Sequence, residues 1–104
     1  MRLHTLQLIT PGSGLVFSDV RLKRELLLLE TLGNGIKLYR YQYRWGATDY
    51  VGVMAQEVAA IVPDAVSKDA DGYLRVDYRR LGLQLRTYQD WVNKGHVASV
   101  PLTA

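Results

Sequence analysis

At 104 residues, with 48% hydrophobic composition, the chain has the length and apolar content of one packed domain and not of a disordered segment. The absence of cysteine excludes disulfide and thiolate chemistry, and the two histidines, His4 and His96, stand at opposite ends of the chain, so neither a metal site nor a cofactor is expected. A net charge of +3, spread along the chain, does not demand nucleic acid. No apolar run at the amino terminus is long enough for a signal core or a membrane span, so a soluble, untargeted protein without a membrane partner is expected.

Residues 1–17 read as an amino-terminal arm. In it the turn Pro11-Gly12-Ser13-Gly14 precedes a short extended apolar segment, Leu15-Val16-Phe17, which joins the domain at Phe17-Ser18. From Asp19 to about Leu32 the pattern predicts a helix stopped by Gly33-Asn34-Gly35. Its four consecutive leucines, Leu26 to Leu29, would cover every face of a turn, which suits a helix buried in its own domain or wedged between subunits. Tyr39, Tyr41, Tyr43 and Trp45 alternate with Arg40, Gln42 and Arg44, a period of two that predicts a half-buried strand starting near Leu38. That stripe reads as the core face of a sheet, with base stacking as the rarer use of such a pattern.

Tyr50 to Met54 forms the partner strand of a hairpin, and Ala55 to Val62 a short helix with Ala55, Val58, Ala59 and Val62 on one face, ended by Pro63. Ser67 to Gly72 lacks the downstream acidic ligand of a calcium loop and reads as a hairpin turn leading to the strand Tyr73-Leu74-Arg75-Val76. Asp77 is a suitable cap for a closing helix from about Tyr78 to Val92, which Asn93-Lys94-Gly95 ends. The expected fold is therefore α+β: an opening helix, a short antiparallel sheet with an inserted short helix, and a closing helix. The domain would cover residues 18–92, with a flexible tail at 93–104.

The chemistry to weigh lies in Ser18-Asp19-Val20-Arg21-Leu22-Lys23. A serine with a lysine five residues on is a nucleophile with its base only if the lysine is held neutral. In a continuous helix the two would point roughly 140° apart, so Ser18 must stand outside the helix as its N-cap. By itself the stretch is what any capped helix looks like.

Taken in order, that stretch, then Val51-Gly52-Val53-Met54-Ala55-Gln56-Glu57-Val58 with Pro63-Asp64, then Gly72-Tyr73-Leu74-Arg75-Val76-Asp77-Tyr78 with Leu81, resemble the carboxy-terminal intramolecular chaperone domain of phage endosialidases and tailspikes. The same domain occurs in neck appendage proteins and a membrane-tethered myelin transcription factor. The resemblance covers roughly Ser18 to Trp91 and implies a domain that drives homotrimerisation of an upstream fibre or tailspike segment, its folding client. It also implies that the domain then cuts itself off before the serine, with Phe17-Ser18 as scissile bond, Ser18 as nucleophile and Lys23 as base. Such proteins assemble in the cytoplasm and belong to phage virions or prophages.

A lysine becomes a base at neutral pH when burial lowers its pKa, and packing in an intertwined trimer would supply that burial. The oxyanion donors expected are the unpaired amides of the first helical turn. Asp19 is read chiefly as favouring the helix start; Gly52 suggests close backbone approach. Gln56 and Glu57 are candidates to support the catalytic turn or to contact a neighbouring subunit. Only seventeen residues precede Ser18 and the closing helix breaks early, so the alternative is a module of the same fold that trimerises without cleaving. A small basic nucleic-acid binder using Arg40, Arg44 and the tyrosines is the reading from a different class.

Overall fold

Asp19 caps a helical turn, but the turn stops after three residues. In the computed structural model, which describes residues 14–96, Val20–Leu22 forms a single 3₁₀ turn whose amide at Arg21 is taken by the Asp19 carboxylate. Lys23 leaves it in extended conformation, φ −122° and ψ 157°, and opens strand β2, Lys23–Thr31. The opening helix expected from Asp19 to Leu32 is thus corrected to a strand. A helix with leucine on every face has no preferred side to bury. As a strand the same segment pairs antiparallel along its length with the aromatic strand β3, Lys37–Tyr43. Tertiary pairing overrides the helix preference of leucine.

Gly33-Asn34-Gly35 is accordingly the turn of a hairpin and not the end of a helix. Leu32 N donates to Ile36 O at 2.7 Å, Gly35 N to Leu32 O at 2.9 Å, and the Asn34 side chain accepts from Ile36 N, while Gly35 sits at φ 93°. The β2–β3 ladder carries two bulges. Arg24 faces Gln42 but Leu27 faces Arg40, which leaves one extra residue on β2 and holds Glu25 at φ 56°; a second extra residue falls at Leu29. On the near side of the first bulge Lys23 lies directly opposite Tyr43, so both side chains project from one face.

Strand β4 (Tyr50–Gly52) pairs with β3, which is the hairpin the alternation implies, and the helix α1 (Ala55–Ile61) follows, with Pro63 opening the next 3₁₀ turn, Pro63–Ala65. The polar turn after Ser67 joins β5 (Val66–Lys68) to β6 (Leu74–Asp77), again antiparallel. Strand β1, Leu15–Phe17, adds to the other edge of β6 and builds the three-stranded sheet β1-β6-β5. The last residues of the expected arm are therefore built into a sheet; residues 1–13, with the turn at Pro11, lie outside the described residues.

The closing helix is also corrected. Asp77 does cap, accepting from Arg79 N, but its helical turn covers only Tyr78–Leu81, because Gly82 adopts the left-handed conformation, φ 71° and ψ 24°. The chain then returns as β7 (Arg86–Thr87) to the edge of β4, completing the sheet β2-β3-β4-β7. Thr87 caps a second short helix, α2 (Tyr88–Asp90), continued by a π turn over Trp91–His96. Asn93-Lys94-Gly95 lies within this turn, and the tail from residue 97 lies outside the described residues.

Two apolar clusters result. One, around Val16, Leu38, Val51, Val58 and Val76, joins both sheets to α1; the other is Tyr41, Tyr43 and Met54, with Phe17 and Leu22 against it. The hairpin register depends on Gly35. Replacing it by Ala puts a Cβ on a residue at φ 93° and is expected to cost about 1 kcal/mol or more of unfolding free energy in denaturant titration, with an unchanged slope.

Candidate functional site

Ser18 and Asp19 have no exposed surface and Lys23 retains 2%. A buried serine, aspartate and lysine within six residues must each find partners, and those partners define the site. The chain at Phe17–Asp19 is held from three directions. Ser18 N donates to Leu74 O at 3.2 Å, the Ser18 carbonyl accepts from Ala55 N at 2.8 Å, and the Phe17 carbonyl accepts from the Tyr43 hydroxyl at 2.7 Å. The bond between Phe17 and Ser18 thus runs between the start of β6, the start of α1 and the end of β3.

Asp19 reaches further than its own turn. Its carboxylate accepts from Arg21 N at 2.9 Å, from the Arg21 guanidinium at 2.9 and 2.8 Å, from Gln56 Nε2 at 2.9 Å and from Leu74 N at 3.0 Å. The Arg21 guanidinium, helped by these amides, holds the carboxyl well below the usual carboxylate range against the opposing effect of burial. Gln56 completes the clamp, because its carbonyl accepts from Val20 N at 2.9 Å. Asp19, not Ser18, is therefore the cap of this turn. Its amides at Val20, Arg21 and Leu22 are bonded to Gln56, to the Asp19 side chain and to the Asp19 carbonyl, so the expected supply of free oxyanion donors is already taken.

Lys23 arrives from β2 rather than from a helix. Its ammonium nitrogen donates to Val53 O at 2.6 Å and lies 4.3 Å from the centre of the Tyr41 ring. Burial pushes its pKa well below the ordinary lysine value, and Asp19 opposes this only from a distance. Ser18 Oγ donates to Tyr78 Oη over a long 3.5 Å, and Val53 N donates to the same hydroxyl at 3.0 Å. The two sequence candidates thus flank the residue Val53, one at its carbonyl and one, through Tyr78, at its amide. No hydrogen bond joins them directly among the described residues.

Gly52 lies under this junction: a Cβ there would overlap the Tyr78 hydroxyl and press on that of Tyr41 at 3.2 Å. Glu57 is drawn elsewhere, its Oε2 accepting from the Tyr39 hydroxyl at 2.8 Å while its buried Oε1 has no partner. Tyr41, Tyr43 and Tyr78 are site residues that sequence reasoning treated as packing. Had Lys23 been read as a strand residue, the pairing of an alternating tyrosine strand with it would have pointed to Tyr41 and Tyr43; nothing local marks Tyr78. With Tyr41 and Tyr43 buried, the alternating stripe is the interior face of the sheet rather than an open stacking platform.

The buried amine has a consequence for stability. Native Lys23 gives up its proton at lower pH than an unfolded lysine, whose pKa is about 10.4, so unfolding takes up a proton over the interval between the two. Stability is therefore expected to rise with pH across that interval, up to about pH 10, where unfolded tyrosines begin to ionise and reverse the trend. Melting temperatures measured from neutral to mildly alkaline pH should show the rise, and Lys23→Met should flatten it.

Residues 18–67 match the family model described as chaperone of endosialidase, a peptidase family. The match runs from Ser18 through β2, β3, β4 and α1 into β5, and stops short of Tyr78. The curated proteins and the solved structures gave no match. Candidate nucleophile, candidate base and the Asp19–Gln56 clamp all fall inside the matched span, and over that span the chain is similar to the chaperone-of-endosialidase family.

Proposed function

We propose that this chain is an intramolecular chaperone domain that promotes homotrimerisation of a phage fibre or tailspike-type protein and releases itself by serine autoproteolysis at Phe17-Ser18. The observation that carries the proteolytic reading is Lys23: a lysine 2% exposed, without an ion pair among the described residues, bonded to the same residue, Val53, that Ser18 reaches through Tyr78. A buried amine without a counter-charge is held neutral, and a neutral amine beside a hydroxyl is a base. Tyr78 is no substitute for it, since burial raises its pKa and it stays a phenol.

The reaction is a single turnover. Ser18 Oγ forms a bond to the Phe17 carbonyl carbon as its proton passes to Lys23 Nζ and the carbonyl π pair moves to oxygen. When the carbonyl reforms, the C–N bond breaks and its electron pair stays on the Ser18 nitrogen, which takes the proton back from Lys23. The resulting ester is hydrolysed by water to a Phe17 carboxylate and a free Ser18. Attack from another subunit on the same bond is the alternative route. Either needs the lysine to leave Val53 O for Ser18, since catalytic hydrogen bonds tighten on going from the resting state to the reacting one.

Assembly is supported by the edge strand. Leu26, Leu27 and Leu28 are 41, 49 and 50% exposed on β2, the outer strand of its sheet. An apolar strand with an open edge invites pairing with another chain, and a domain this small gains stability by burying it. The second reading, a module that trimerises without cleaving, is favoured by the separation of the Ser18 and Lys23 hydrogen bonds.

Two experiments follow from these readings. Incubation at rising pH should yield a product beginning at Ser18, read by intact mass and amino-terminal sequencing, faster as Lys23 loses its proton. Ser18→Ala and Lys23→Ala should each stay whole with an unchanged circular dichroism spectrum, and an unaltered chain that stays whole as a verified trimer would establish the second reading. In sedimentation the unaltered chain should run as a trimer, and Leu28→Glu should run as a folded monomer; a stable monomer of the unaltered chain at high concentration would exclude the trimer.

A further inference from the structure

The tyrosine at the scissile carbonyl plays no part in the Ser18–Lys23 chemistry as written above. Tyr43 Oη donates to Phe17 O at 2.7 Å, and Tyr41 Oη donates to Tyr43 Oη at 3.2 Å behind it. Resting on the self-cleavage reading, we propose that Tyr43 is a catalytic residue of that reaction, its hydroxyl being the donor that holds the oxyanion formed at the Phe17 carbonyl, with Tyr41 polarising it.

Attack on the Phe17 carbonyl moves a full charge onto an oxygen in a buried site, where each aimed donor is worth more than in water. The neighbouring candidates are engaged: the amides of Val20, Arg21 and Leu22 have their own acceptors, and Ser18 N, part of the bond being broken, points to Leu74 O. Tyr43 alone is already on the oxygen where charge will appear, and the bond can shorten as charge develops.

Its ring is fixed. It stacks on Trp45 with centroids 4.8 Å apart and meets Tyr41 edge-on at 5.2 Å. The register of β2 against β3 places Tyr43 opposite Lys23, so donor and base are carried by one paired backbone and projected from one face. Burial, with Tyr78 nearby, raises the Tyr43 phenol well above its ordinary value, so it keeps its proton at the alkaline pH that frees Lys23. Donor and base are therefore both in their working forms over the same pH range.

A tether that merely fixes the resting chain would make the same hydrogen bond, and kinetics separate the two roles. The full chain, Tyr43→Phe and a chain carrying 3-fluorotyrosine at position 43, whose phenol is a stronger donor, are followed by mass for the product beginning at Ser18 across a range of pH. Tyr43→Phe should cleave about 10²–10³-fold more slowly, with the pH at which the rate levels off unmoved, and the fluorinated chain faster than the unaltered one. Tyr43→Phe cleaving at the unaltered rate overturns the role of Tyr43 and leaves Ser18 and Lys23 standing. If Tyr43→Phe does not fold, the fluorinated chain decides, and a rate equal to or below that of the unaltered chain overturns the role. An unaltered chain that never cleaves overturns the self-cleavage reading, and the role of Tyr43 with it.

Discussion

A carboxylate with no exposed surface is tolerable only when its oxygens are filled, and Asp19 fills them with groups from three separate parts of the chain. Arg21 comes from its own turn, Gln56 from the first turn of α1, and Leu74 N from the start of β6. Any arrangement that lost one of these would leave a buried donor or a buried charge unpaired. This constraint decides where the bond between Phe17 and Ser18 lies, because Ser18 N and its carbonyl bond to the same two elements, at Leu74 of β6 and Ala55 of α1. The peptide is held by the structure that follows it in sequence, so under the proposed self-cleavage it is presented for attack only after β6 and α1 are in place.

From that constraint comes an ordering of folding and chemistry. Lys23 reaches the site because β2 pairs with β3, and the pairing of Lys23 with Tyr43, followed by that of Arg24 with Gln42, comes before the ladder slips by a residue at Glu25. A one-residue slip turns the side chains of a strand to the opposite face, so without the bulge the register that buries Lys23 could not coexist with the pairing of Leu27 and Leu28 further along. The bulge separates two tasks on one strand: its first residues build the buried site and its later ones expose leucine at the sheet edge.

The sequence was legible where a segment's pattern agreed with its tertiary partner. The tyrosine alternation became β3, Pro63 ended α1, and the turn after Ser67 joined two strands. It misled where a local signal was genuine but shorter than its pattern suggested. Asp19 and Asp77 both cap, each for one 3₁₀ turn, and what decides the next residues lies elsewhere in the chain: a partner strand for Leu26 to Leu29, and the left-handed Gly82 for the segment after Leu81. Ser18 and Lys23 were candidates by spacing and resemblance, whereas Tyr78, sixty positions from Ser18, comes beside Ser18 only through long-range packing.

Under the proposed self-cleavage, the same geometry keeps nucleophile and base apart in the resting chain. Ser18 spends its hydrogen on a long bond to Tyr78, and Lys23 spends its own on Val53 O. Each is satisfied by a group anchored on Val53, at its carbonyl or at its amide, two residues before the α1 segment whose Ala55 and Gln56 hold the Phe17–Asp19 segment. Tyr43 makes its bond to the Phe17 carbonyl from a different strand. In that arrangement the donor for the oxyanion is set by the fold of a single chain, and only the meeting of nucleophile and base awaits a change at the Val53 junction.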